Sequence, residues 1–355
     1  MNYDDPGFVL AFAALLPVLA AGLALLGGLR MQQLPWVAAA AALVLALWAL
    51  AGAQSVLGAD ASPGLSIFYG MTVALTAVQL GAVMPRETAA AGGRVPLIGW
   101  LVFVAGWTLI VAFPVAGWTL NLVDGWLVVG LGLLDFGGAA LLFLGTSAAG
   151  LGWLLVARNR GPIVAVAAPR RAVLTIAALW IGFFAVTVGS EAVPDATALG
   201  AAANTVVAPL CAALAWAVVE RIRHRRFSLD GAVRGVFAGL VAISAAADVL
   251  SPFWAGVLGL AAGAVASAIA GPRGSVFGLL LTQFAAAALG LVFIGILGDG
   301  VGGLLTGSWM QLGTQLFSIA VVTGFAFAFA ATLAFVIRRV SAQLVWLRER
   351  PELAK

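Results

Sequence analysis

Two carboxylates stand in stretches otherwise almost free of charge: Asp135 in GLLDFGGAALLFLGTSAAG and Asp299 in GILGDGVGGLLTG. An acid inside an apolar segment is costly enough to be a candidate for substrate or proton handling. The competing reading is architectural, because paired glycines beside each acid can break a helix and free backbone N–H groups for a carboxylate to accept. Other reactive groups are sparse. Cys211 is the single cysteine and His224 the single histidine, which removes disulfides, thiolate clusters and imidazole chelates. No metal-ligand trio, phosphate cradle or nucleophile with its base is legible, so neither an enzyme nor a cofactor is expected.

The elements that must position these residues are membrane helices. Mean hydropathy is +1.11, 63% of the 355 residues are hydrophobic and 9% are charged, which excludes an ordinary soluble domain. Apolar stretches long enough to cross about 30 Å of hydrocarbon recur along the chain, at roughly 8–29, 35–57, 64–84, 97–120, 126–157, 171–190, 198–220, 232–249, 253–270, 274–305 and 311–342. The expected fold is an all-α polytopic membrane protein of eleven spans.

Charge orients it. With the N-terminus outside, all 18 Lys and Arg residues fall on the cytoplasmic side. Arg30, Arg86 and Arg94 come first, then Arg158 to Arg171, Arg221 to Arg234, Arg273, and the tail from Arg338 to Lys355. The opposite turns hold Asp4, Asp5, Asp60, Asp124, Glu191, Asp195 and Asp248 and no basic residue. That asymmetry predicts a C-terminus inside the cell. The cluster Arg221, Arg223, Arg225 and Arg226 fits topology and anionic membrane lipids, and no nucleic acid is expected. Residues 1–7 are short and acidic, unlike a signal peptide.

No sizeable soluble domain fits between the spans, so residues 1–342 read as one transmembrane domain and 343–355 as a short tail. The acids near the ends of spans five and ten suggest two inverted five-helix repeats, 8–157 and 171–305, followed by a final helix, 311–342. Forty-four glycines imply thin helices in close contact.

Several fragments in order carry a resemblance: PGLSIFYGMTVALTAVQLGAVMPR, FPVAGW at 113–118, GLLDFGGAALLFLGTSAAG, LWIGFFAVTVGS, NTVVAPLCAALAWAVVE, GAVRGVFAGLVAISAAADVLSPFWAGVLG and GVGGLLTGSW. Over about residues 4–340 the chain resembles the ammonium transporter and Rh-type channel family. The resemblance implies a homotrimer with one narrow pore per protomer. It also implies an outer cation site of aromatic rings and a Ser, where Ser190 stands at the Ser position, Leu120 at the Trp position, Thr72 and Val186 at the two gating Phe positions, and Trp118 two residues before Leu120. Of the two pore histidines that the resemblance implies, the first falls on Phe143, and the second on Gly295 or Asp299 according to the alignment. A two-histidine relay is therefore absent, since Phe has no exchangeable proton.

Three readings follow. One is a channel or transporter for a small polar solute with altered selectivity, using Thr72, Thr187, Ser190 and Asp299. Another is a non-conducting sensor or structural partner closed by Phe143. The third is histidine-free conduction of ammonium or ammonia, with Trp107, Trp118 and Trp126 as an outer cation-attracting surface or as ordinary interface and core residues.

Overall fold

The computed structural model describes residues 4–58, 61–83, 95–157, 168–270 and 275–349. Asp60, Arg86, Arg94, Arg158, Arg160, Arg273 and the end of the tail at Lys355 lie outside the described residues. Ten described helices are long and apolar enough to cross a membrane, and an eleventh is shorter. In chain order they are α1 (Pro6–Leu26), α2 (Leu34–Leu57), α3 (Pro63–Val83), α4 (Leu97–Leu120), the short α5 (Ala140–Val156), α6 (Pro169–Glu191), α7 (Ala196–His224), α8 (Leu229–Ala246), α9 (Pro252–Ile269), α10 (Val276–Leu297) and α11 (Met310–Val340). The α11 helix runs on to Glu349, through much of the segment expected to be a tail. The chain is an all-α, multi-pass membrane protein.

Helix starts follow local chemistry. Proline opens α1, α3, α6 and α9, where its missing N–H costs no hydrogen bond. Asp5, Ser62, Asp195, Ser228 and Ser275 accept first-turn N–H groups from Phe8, Leu65, Ala198, Gly231 and Gly278. Three arginines cap the opposite kind of end. Arg171 donates to the Leu25 carbonyl, Arg338 to Val156 and Arg223 to Ala268, each near the C-terminus of an odd-numbered helix. Cations are favoured there by the free carbonyls and the helix dipole, so basic residues serve the helix ends as well as orientation.

Close packing builds the bundle. α7 lies against α8 and α9, α1 against α6, and α11 against α5. A side chain on Gly259 or Gly263 of α9 would strike the Ala208 and Ala212 carbonyls of α7, so only glycine permits that crossing. α3 and α8 are the most enclosed helices, while α2 and α11 keep most of their surface at the exterior. Arg234, expected in a cytoplasmic turn, lies inside α8, buried and paired with Asp230 at 2.7 Å. Helical spacing of four residues places the two heads together and offsets the cost of enclosing either charge.

Two expected spans are broken. The stretch 126–157 is one helical turn at Trp126–Gly130, an irregular segment, and then α5. The stretch 274–305 ends at Leu297 and resumes only as the single turn Gly303–Thr306. Gly132 at φ +73°, Gly138 at φ +67° and Gly300 at φ +74° adopt left-handed backbone that a side chain resists, which is why the helices stop there. Apolar composition alone masks such breaks.

Candidate functional site

The irregular segment before α5 is held by hydrogen bonds from three directions. Asp135 Oδ1 accepts from Ala139 N at 2.7 Å and Oδ2 from Ala140 N at 2.8 Å, meeting the free N–H groups at the start of α5. Phe136 N and Gly137 N donate to Ala245 and Ser244 carbonyls at the end of α8. The carbonyls of Leu131, Gly132 and Leu134 accept from Thr314, Gln311 and Gln315 of α11. These bonds meet many of the backbone groups that the break frees from helical pairing, a requirement for non-helical chain at membrane depth.

This arrangement shapes a small cavity against α3 and α6. Thr72, Leu120, Val186 and Ser190, four residues singled out from sequence, all line it. It offers about 10 Å³ to a water-sized sphere, close to the minimum that admits one molecule. Thr72 Oγ1 donates to the Phe68 carbonyl at 2.8 Å, and Ser190 Oγ donates to the Val186 carbonyl at 2.7 Å. With both hydroxyl protons engaged, each oxygen retains lone pairs, so the cavity can accept from a solute N–H or O–H. Phe68, Tyr69 and Phe136 complete the wall. These three aromatics were not selected from sequence; FY in SIFYG and F in LDFGG were visible, but nothing local aimed them at one point. Their rings give the cavity an aromatic wall although Thr72 and Val186 stand where the resemblance implied aromatic residues.

Leu141 and Leu142 also line the cavity, and the next residue, Phe143, is fully buried. Its ring stacks on Phe183, with centroids 5.3 Å apart and 12° between planes, and Phe237 meets both edge-on at 6.5 and 6.2 Å. Three helices thus contribute to one layer of phenyl rings.

Other residues from the sequence reading lie elsewhere. Thr187 is buried toward α7, accepting from Thr205 Oγ1 at 2.7 Å. Trp118 packs on Trp126 and Phe325, and Trp107 is enclosed in the core. Gly295 sits against Leu312 of α11, while Asp299 is exposed beyond α10, its N–H bonded to the Val249 carbonyl at 2.7 Å. Neither lines the cavity. Cys211 is a half-buried free thiol, and His224 is exposed with the arginines at the end of α7. No described group of three or more His, Cys, Asp and Glu residues could hold a metal.

Beside Ser190, the Glu191 carboxyl meets Asp248 in the turn after α8. Both Asp248 oxygens are buried with no N–H or hydroxyl donor among the described residues. Two ionised carboxylates have no proton to share, so their contact requires one to be protonated. Burial pushes the Asp248 carboxyl up to about 9, and the neighbouring Glu191 charge adds to the shift.

Such a bundle of apolar spans around a small enclosed cavity defines a multi-pass membrane protein. The profile of the Ammonium Transporter Family matches residues 50–350, and the chain belongs to that family. It is 34% identical over 206 residues to the ammonium transporter of Bacillus subtilis, covering 57% of this chain and 48% of that protein. It is 30% identical over 314 residues to ammonium transporter 1 of Schizosaccharomyces pombe, covering 80% and 60%. The chain thus spans about half to three-fifths of the length of these relatives. The crystal structure of Saccharomyces cerevisiae Mep2 superposes with a TM-score of 0.79 at 22% identity, covering 94% of this chain and 88% of that one, which shows the shared fold.

Proposed function

We propose that this protein is a narrow pathway for a small polar solute, ammonia or ammonium by chemistry, running from the Ser190 cavity past Phe143 toward the cytoplasm. The observation that carries the reading is the convergence of Thr72 and Ser190, with their lone pairs free, on a space for one small molecule. Hydroxyl acceptors and the faces of Phe68, Tyr69 and Phe136 together suit an N–H donor that carries a positive charge. The phenyl layer offers no acceptor and no exchangeable proton. The layer therefore passes only the neutral form, and an ammonium ion gives its proton to water on the outer side before ammonia crosses. Asp135 serves as a helix cap on this reading rather than as a carrier of that proton.

The accompanying architecture is eleven spans with the N-terminus outside, the α1–α5 and α6–α10 halves as inverted repeats, one transmembrane domain, lipid contact around the exterior and assembly as a homotrimer. The basic-loop asymmetry supports the orientation, and family membership supports the trimer.

Flux into liposomes containing purified protein tests the function. Ammonia or methylammonium entry above protein-free vesicles, reduced in a Thr72→Val, Ser190→Ala double variant, is expected. The tight contact of Phe143, Phe183 and Phe237 favours one second reading, a permanently closed, non-conducting relative. A folded protein with no flux above control vesicles would establish that reading instead.

A further inference from the structure

At the Phe143 carbonyl, beside the phenyl layer, lies a polar pair that the pathway above does not use. Gln79 of α3 and Gln283 of α10 are both more than nine-tenths buried, and Gln283 Nε2 donates to Gln79 Oε1 at 2.6 Å. The same Nε2 reaches the Phe143 carbonyl at 3.3 Å. That carbonyl can only accept, so the amide face of Gln283 turned toward it must be its NH2. The other hydrogen of that NH2 then requires the oxygen of Gln79, which leaves the Gln79 NH2 as the outward end of the chain of bonds. Gln79 Nε2 is buried and has no acceptor among the described residues. Reversing either amide would set donor against donor or acceptor against acceptor, so the orientation follows from the Phe143 carbonyl.

Position adds a second argument. Thr72, Thr76 and Gln79 follow one face of α3, so the face that opens on the outer cavity at Thr72 reaches Gln79 two turns later, about 10 Å along the axis. Phe143, which the Gln pair touches, immediately follows the cavity residue Leu142.

We propose that Gln79 Nε2 is a solute-binding donor on the inner side of the phenyl layer, specific for a small neutral molecule with a lone pair. Ammonia and water both qualify by size and chemistry. A cation does not, because the amide presents its positive end. The outer cavity offers acceptors and the inner station a donor, so the two ends of the path favour opposite partners: a donor-rich cation outside and a lone-pair-bearing neutral molecule inside. The inference rests on the path proposed above.

Gln79→Leu keeps similar bulk and removes both N–H groups. Purified parent and variant in liposomes, driven by ammonia and separately by osmotic water gradients, supply the first measurement. Ammonia permeability about tenfold lower in the variant is expected, the change that one modest lost interaction in the barrier region produces. Unchanged ammonia and water permeability in a folded variant would overturn the donor site while leaving the pathway standing. If the parent itself carries no flux, the pathway fails and the site is judged by density. High-resolution maps of parent protein in concentrated ammonium solution are expected to show a solute-sized peak about 3 Å from Gln79 Nε2, lost in Gln79→Leu. An amide surrounded only by protein atoms in the parent would overturn the proposal.

Discussion

Phe143 and Phe183 lie ring on ring, 12° from parallel, at the centre of the bundle, one contributed by α5 and the other by α6. Their contact joins α5 to α6 close in sequence to Leu142 and Val186, which line the Ser190 cavity. If this layer is the barrier, shrinking it opens the path: Phe143→Ala is expected to raise water or ammonia permeability about tenfold, equivalent to removing ~1.4 kcal/mol from the barrier. The same change leaves a void that costs about 3–5 kcal/mol of stability in a packed core. Phe143→Leu is the gentler companion, expected to fold well and give a smaller increase. Stopped-flow light scattering on both, with unchanged permeability in each, would reduce Phe143 to a packing residue.

Asp135 is expected to matter more for assembly than for selectivity, because both its oxygens are committed to Ala139 and Ala140 N–H groups. Asp135→Asn keeps one acceptor and is expected to lose about 1 kcal/mol, whereas Asp135→Leu strands two buried donors at about 1–3 kcal/mol each. Detergent melting temperature and the yield of folded protein, measured beside flux, rank the two. Normal assembly of both variants together with abolished flux in both would move Asp135 into the transport chemistry.

Stability is expected to depend on pH through Asp248. Its folded-state value of about 9 lies above the usual carboxylate range, so the folded chain keeps a proton that the unfolded chain releases near pH 4. The contribution is complete below about pH 4 and is lost as pH rises toward about 9. Glu191 and Asp195 both carry charge that faces it and raises it. Melting temperatures in detergent from pH 4 to 9 are expected to fall across that window and to flatten in Asp248→Asn. A parent profile that rises with pH contradicts this assignment.

Orientation is testable with single cysteines in a Cys211→Ser background. Asp124→Cys and Arg226→Cys both occupy exposed positions. An impermeant maleimide applied to intact cells is expected to label the first and spare the second. Labelling of both from one side would reject the N-outside arrangement.

The sequence by itself determined the membrane class, the approximate position of nearly every helix and the sparseness of reactive groups. Hydropathy is a sum over neighbouring residues, and helix starts such as Ser62-Pro63 or Ser228 are set by chemistry within one turn. Local pattern also singled out Thr72, Leu120, Val186 and Ser190, through resemblance to a family whose pore positions recur in order. What only the tertiary structure decided were facts that depend on distant partners. The break before α5 exists because α8 and α11 supply its hydrogen bonds, from residues such as Ser244 and Gln315, and the run of apolar letters across 126–157 carries no trace of them. Asp299 resembled Asp135 in its glycine-rich setting, yet one caps a buried helix and the other stands exposed, because burial is decided by what packs around a turn. Gln79 and Gln283 are 204 residues apart. Each alone reads as an ordinary polar residue in an apolar helix, and only the tertiary structure brings them together as a pair in which Gln79 Nε2 has no acceptor among the described residues.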